Sequence, residues 1–253
     1  MKVSILVPAF NEEQTIERIL HKLLTIQIGE REILVVDDGS TDSTSRLVQQ
    51  IANVNPVVRL FVQSKNRGKT AAIAWAISES TGDILIVQDA DLEYDPAEIP
   101  DVISPIVDGV ADVVYGSRFL VKRASRVLYY YHYLANKFLT CLSNVLTNRN
   151  MSDIETCYKA FHRDVIAPLQ LCSSGFGMEV EITAMICKTQ ARTYEVPISY
   201  YGRTYGEGKK IGSWDGLAAI WYILYFNLFH PFTRAGRIYI KTVNTSLRSR
   251  HSS

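Results

Sequence analysis

The residues that most constrain this chain are Ile84 to Glu93, which read ILIVQDADLE. Four apolar residues, three of them β-branched, run without a polar break towards acids at Asp89, Asp91 and Glu93. Such a run suits a central strand of a parallel sheet, covered on both faces. The acids then lie where the strand ends, the edge at which open α/β sheets bind ligands. Two carboxylates flanking one alanine supply hard oxygen donors of the kind Mg²⁺ or Mn²⁺ takes when it also holds a phosphate. The plain alternative is a solvated turn whose acids cap a helix beginning near Pro96.

The same strand-then-acid pattern occurs twice before it. Val3 to Val7 reads as a strand ending at Pro8, which cannot donate to a sheet ladder. Asn11 is placed to cap a helix whose first turn carries Glu12 and Glu13 and whose apolar face is Ile16, Ile19, Leu20, Leu23 and Leu24. Ile33 to Val36 leads into Asp37, Asp38 and Gly39, with Thr41 or Asp42 as the next helix cap. Asp38 reads either as an acceptor for a ribose or base N–H or as a turn acid. Val58 to Val62 is a third strand, followed by SKNRGKTAAIAWAI. A Walker A loop would need glycine where Gln63 stands, and no G-x-G-x-x-G follows the first strand. Lys69 opens a helix and reads as a solvated lysine, with phosphate contact as the alternative.

After the central acids come a helix from about 97 to 107, a strand over Asp112 to Tyr115, and then GSR. There the alternation stops. RASRVLYYYHYLANKFLTCLSNVLT predicts a long helix with Leu128, Tyr131, Leu134, Ala135, Phe138, Leu142, Val145 and Leu146 on one face. Its tyrosines and the cluster Lys122, Arg123 and Arg126 fit an interfacial helix, and a core helix is the alternative. A strand over Cys157 to Phe161, a helix over Met178 to Thr189 and the strand TYEVPISYY follow. GRTYGEGKKIG, with Arg203, Lys209 and Lys210, predicts a lid that closes on an anion, or an ordinary exposed loop. In the aromatic segment Leu217 to Phe232 the apolar stretch stops at Asn227, short of the ~20 residues a membrane span needs. The end of the chain from Thr233 carries Arg234, Arg237, Lys241, Arg248 and Arg250 but no acid, which predicts a frayed end or a weak contact with anionic lipid.

A length of 253 residues allows one large α/β domain or two small ones. A formal net charge of +1 gives no bulk electrostatic reason to expect nucleic acid as a partner. The first residues, MKVSILVPAFNEE, are too briefly apolar for a signal peptide. Cys141, Cys157, Cys172 and Cys187 form no CxxC, and no two of the histidines are four apart. Neither a disulfide framework nor a zinc site is expected. Free thiols in a reducing, cytoplasmic compartment are the simpler reading.

VPAFNEE, VVDDGSTD, NRGK, DADLE and YGSR together resemble the family 2 glycosyltransferases of the GT-A fold. SDIETCYKAF and EVPISYYGRTYGEGKKI are similar to the branch that loads sugars onto polyprenyl phosphates, as dolichyl-phosphate mannose synthases do. The resemblance spans about residues 2 to 225. It implies an α/β GT-A fold, a mostly parallel central sheet flanked by helices, with C-terminal amphipathic helices. It also implies a catalytic domain over 1–232 and a basic tail over 233–253. Members of the branch often carry membrane-spanning helices after this domain, and none is read in this sequence.

Carried onto matching positions, the resemblance puts Pro8, Phe10, Glu12 and Asp38 in the nucleoside pocket. Asp89 and Asp91 become a DxD motif for Mg²⁺ or Mn²⁺, Asp91 the more direct ligand. Arg118, Arg126, Arg203 and Lys209 become contacts for the donor diphosphate or an acceptor phosphate, with Lys69 beside them. Arg126 follows a segment shorter here than in the dolichyl enzymes. Glu179 falls where relatives that glycosylate hydroxyls keep a base, but MEVE departs from their pattern of Asp after Glu. A phosphate monoester is already ionised at neutral pH and needs no base, so Glu179 is expected to position the sugar. The implied partners are a nucleotide-sugar donor, a polyprenyl-phosphate acceptor and a membrane surface met peripherally, with a homo-oligomer left open. The rival readings are transfer to a sugar or lipid hydroxyl, a nucleotide-sugar-binding protein without turnover, and a nucleotidyltransferase.

Overall fold

The apolar β-branched runs pair side by side into a seven-stranded sheet. A computed structural model describes residues 1–120, 126, 129–202 and 213–251, the side chains of 176 and 213–215 excepted. The strands are β1 (Val3–Ala9), β2 (Arg31–Asp37), β3 (Val58–Val62), β4 (Ile84–Val87), β5 (Val113–Ser117), β6 (Lys159–His162) and β7 (Thr193–Pro197). The helices are α1 (Ile16–Thr25), α2 (Thr44–Val54), α3 (Lys69–Glu79), α4 (Ile99–Val107), α5 (Tyr130–Thr147), α6 (Arg163–Ile166), α7 (Met178–Ile186), α8 (Ser213–Leu228) and α9 (Arg234–His251). The strand order is β3-β2-β1-β4-β6-β5-β7, which puts β4 in the middle as its unbroken apolar run requires. All strands run parallel except β6, antiparallel to both β4 and β5.

That one reversal matters for the site. In the parallel strands the C-terminal ends share one edge, so the loops after β1, β2, β3, β4, β5 and β7 gather there. Because β6 runs the other way, it is the loop before it, residues 148–158, that reaches the same edge. The segment SDIETCYKAF thereby joins the acids of the first half.

Two expectations fail, each for a local reason. Asn11 does not cap α1. It sits in the left-handed region at φ 53, which asparagine tolerates, and its Oδ1 accepts from the Thr41 amide at 2.9 Å. Its own amide donates to Ser40 Oγ, so the turn after β1 is laced to the turn after β2 and the helix starts later, at Ile16. The chain after Thr233 is not frayed. Tyr239, Val243 and Leu247 form a buried stripe at a spacing of four, and Tyr239 donates to the Val165 carbonyl at 3.1 Å. Arg250 and His251 both reach the buried Asp112 at the base of β5, which fastens the end of α9. On α5 the face read as apolar divides: Tyr131 is 83% and Val145 74% exposed, Leu142 and Leu146 pack partly against the core, and Leu139, Thr140 and Ser143 are buried. On α8, which packs against α5, Trp221 is 61% exposed. Among the described residues no helix is long and apolar enough to cross a membrane.

At the other edge of the sheet, Glu32 ties β1, β2 and the turn before β4 together. It accepts from Ser4 Oγ and the Thr81 amide, both at 2.6 Å. Burial pushes its carboxyl up, but these donors outweigh burial and bring it down to about 2. The stability it contributes is therefore complete above its unfolded value near 4.5 and is lost as pH falls towards about 2. Glu32→Gln is expected to flatten the acid limb of melting temperature against pH over that window, and to cost about 1–3 kcal/mol at pH 7. Calorimetry across pH 2 to 7 measures both.

Candidate active site

At the shared edge, the Lys69 ammonium joins three separate pieces of chain. Lys69 opens α3, and its Nζ lies 2.9 Å from Asp89 Oδ1 and 3.0 Å from Glu179 Oε1. Asp89 belongs to the turn after β4 and Glu179 to the first turn of α7. Burial works against the Lys69 charge, but Asp89 and then Glu179 more than offset it and raise its pKa well above the ordinary value. The expectation of a solvated lysine is thus wrong: a cation surrounded by two carboxylates leaves water for the ion pair. α7 is buried all round, as a helix with apolar residues on every face must be. Its second acid, Glu181, is spent on the backbone, accepting from the amides of Cys172 and Ser173.

The turn after β4 holds the other acids. Asp91 Oδ1 accepts from the Glu93 amide at 3.1 Å, and Leu92 between them adopts φ 63. A bulky residue in that region is strained, and Leu92 is kept there by packing against the core. Glu93 accepts from the Tyr200 hydroxyl at 2.9 Å, and its carbonyl accepts from the Tyr201 amide. The turn is thereby tied to the segment after β7. Asp89 and Asp91 offer hard oxygens on one turn, which fits Mg²⁺ or Mn²⁺ completed by phosphate and water. Among the described residues no group of three or more His, Cys, Asp or Glu forms a ready-made cage.

A second buried ion pair lies across the sheet. Arg118, just after β5, donates through Nε and Nη2 to the two oxygens of Asp153, each at 2.7 Å. Asp153 is fully buried on the loop before β6. Burial raises its carboxyl, and Arg118 outweighs that and holds it below the usual range. The guanidinium also lies 5.2 Å over the Tyr200 ring, which packs on Tyr94 and so on Tyr158. Behind them Lys159, wholly buried, donates to the Ile154 carbonyl at 2.9 Å and to the Thr156 carbonyl. Burial lowers its pKa.

The remaining expected site residues fall around this edge. Pro8 is the last residue but one of β1, opposite Val36, with Phe10 and Glu12 half-buried in the turn beyond. Glu12 donates its amide to Thr44 Oγ1 and accepts from Thr15 Oγ1. Asp38 is buried, with one oxygen on the Arg67 amide at 2.7 Å and the other on the Gly68 amide at 2.8 Å. It braces the NRGK loop as a turn acid. Gly39 next to it has φ 73, and a Cβ there would come within 2.7 Å of Lys65 backbone, so the two loops interlock only through glycine. Arg126 donates to the Gly202 carbonyl at 3.0 Å. Arg203 and Lys209 lie outside the described residues. Asp153, Glu155 and Lys159 were not singled out from the sequence, although the acids just before the strand in SDIETCYKAF repeat the signal of the first half with the strand reversed.

Residues 4–169 match the sequence profile described as glycosyl transferase family 2. The chain is 29% identical over 215 residues to the dolichol-phosphate mannosyltransferase of Pyrococcus furiosus, covering 84% of this chain and 60% of that protein. It is also 29% identical over 214 residues to the undecaprenyl-phosphate 4-deoxy-4-formamido-L-arabinose transferase of Proteus mirabilis, covering 82% of this chain and 62% of that one. The chain thus spans about 60% of the length of these curated relatives. The glucosyl-3-phosphoglycerate synthase of Mycobacterium tuberculosis, crystallised with Mn²⁺, UDP and phosphoglyceric acid, superposes with a TM-score of 0.69 at 19% identity, over 90% of this chain and 78% of that one. The mixed sheet flanked by helices is the GT-A glycosyltransferase fold, as the sequence implied.

The Arg118–Asp153 pair supplies a test of the site's frame. Asp153→Asn leaves a buried guanidinium without its counter-charge, a change that costs about 3–5 kcal/mol. Denaturant unfolding is expected to show a loss of that size, and Arg118→Met combined with Asp153→Asn is expected to recover part of it.

Proposed function

The chain belongs to glycosyl transferase family 2, and from that premise we propose that it moves a sugar from a nucleoside-diphosphate donor to a polyprenyl phosphate, with inversion. The observation that carries this reading is the Lys69 bridge. It sets the carboxylate of the diphosphate turn, Asp89, and a sugar-side carboxylate, Glu179, on one ammonium. The relatives named for transfer to dolichol phosphate and undecaprenyl phosphate support the acceptor class.

In the reaction, an oxygen of the acceptor phosphate attacks the anomeric carbon from the face opposite the nucleotide. The bond from that carbon to the diphosphate oxygen breaks, and its electron pair leaves with the diphosphate. Asp89 and Asp91 would hold Mg²⁺ or Mn²⁺, which when bound supplies positive charge to the leaving diphosphate. Lys69 adds a fixed positive charge at the same turn, and such preorganised charge is commonly the largest catalytic contribution. Glu179, one oxygen on Lys69, is suited to holding the sugar in place. Arg118 is fixed by Asp153 and keeps Tyr200 and the segment after β7 against the diphosphate turn. The outward aromatics of α5 and α8 support peripheral attachment to a cytoplasmic membrane face, where a polyprenyl phosphate presents its headgroup.

With a radiolabelled nucleotide sugar, label is expected to pass to polyprenyl phosphate and not to the matching polyprenol. Asp91→Ala, properly folded, is expected to lose at least ~100-fold in rate, because the loss of several kcal/mol of charge stabilisation translates to that. Near-normal turnover of that variant sinks the metal site. If polyprenol serves as well as the phosphate, and an ascending pH–rate limb vanishes in Glu179→Gln, the hydroxyl-acceptor reading replaces this one. Wild-type protein is also expected to float with anionic liposomes, and Tyr131→Ser with Trp221→Ser to weaken that flotation.

A further inference from the structure

Two carboxylates of the site bury oxygens that have no hydrogen-bond partner among the described residues. Glu179 is 4% exposed; Lys69 takes its Oε1, and its Oε2 has no hydrogen-bond partner. Glu155, on the loop before β6, likewise buries Oε1 without a partner, and the hydroxyl of Thr156 beside it is a third such atom. Glu155 is pushed up to about 7, first by burial and then by the charge of Glu179, and Lys159 feels both carboxylates. Lys159 donates to the carbonyls of Ile154 and Thr156, the residues on either side of Glu155, and Glu155 stands two residues from Asp153, the partner of Arg118, so these groups sit on one loop at the edge that carries Glu179. A buried acceptor left without a donor costs about 1–3 kcal/mol, and native proteins keep few of them.

We propose that Glu155 and Glu179 together receive hydroxyl groups of the transferred sugar, and that Glu155 sets which sugar the site accepts. The inference rests on the donor reading above. Glu179 shares its ammonium with Asp89, so its unpartnered oxygen is one side chain away from the turn assigned to the diphosphate. A group linked to that diphosphate is within reach of this oxygen. Its chemistry must offer several O–H donors to acceptors and bring no positive charge, since Lys69 and Lys159 already supply it. A neutral polyol does this, and a second cation does not. A site built to hydrogen-bond a hydroxyl rejects an analogue lacking it strongly, because the buried polar groups are left unpaired. Glu155 thereby becomes a specificity residue of the second half of the chain, independent of the DxD turn.

The test is calorimetric titration of the full chain in Mn²⁺ with UDP, UDP-glucose, UDP-galactose, GDP and GDP-mannose. Wild type, Glu155→Leu and Glu155→Gln are compared, together with their melting temperatures. In Glu155→Leu the affinity for the preferred nucleotide sugar relative to its bare nucleotide is expected to fall at least ~10-fold, while the bare nucleotide binds as before. Discrimination between the glucose and galactose epimers should narrow, and Glu155→Gln, which keeps an acceptor oxygen, should recover part of both. Glu155→Leu is expected to melt no lower than wild type, because a buried oxygen without a partner is gone. An unchanged ratio with nucleotide binding intact overturns the inference alone, and so does a Leu variant that melts well below wild type. If wild type binds none of the nucleotides, the donor reading falls and this inference falls with it.

Discussion

The structure depends on one ammonium held between two carboxylates. Lys69 stands 20 residues from Asp89 and 110 from Glu179, so its ion pairs join the first strand–helix units to a helix built from the far half of the chain. Each of these charges is at least four-fifths out of water. A buried charge is tolerated only when paired, and none of the three is tolerable there without the others. The acids of the turn after β4 and the floor of the site are therefore positioned by electrostatic necessity as much as by packing.

The second constraint is the reversed strand β6. Were all strands parallel, the loop carrying Asp153 and Glu155 would leave from the opposite edge. Reversal brings it to the edge that carries Arg118 and Glu179, and Arg118 then clamps Asp153 with paired hydrogen bonds. Tyr200, under the guanidinium and bonded to Glu93, connects this clamp back to the turn after β4. The site is a closed circuit of loops, each braced by a charge or an aromatic ring from another.

Much of this was legible in the residues. Strands with unbroken β-branched runs, such as Ile84 to Val87, need two covered faces and could hardly be anything else. The acids at their ends followed from topology alone. What could not be read was tertiary. Asn11 had the composition of a cap, but whether an asparagine caps a helix or laces two turns depends on a loop 30 residues away. The basic end of the chain looked unanchored because its partner, Asp112, lies buried at the start of β5. Lys69 looked solvated because its two acids come from distant segments. The direction of β6 decided which acids of SDIETCYKAF faced the site, and strand direction leaves no mark on a four-residue run.

The most direct test of the account is a thermal-shift panel of UDP, GDP, dTDP and CDP sugars, each with and without Mn²⁺, since a ligand that binds only the native state raises its apparent stability. One nucleotide class is expected to raise the melting temperature with the metal and not without it, and the rise is expected to disappear in Lys69→Met. A chain that no nucleotide stabilises in either condition would contradict the donor site at the DxD turn and make this a scaffold without catalytic use of its acids.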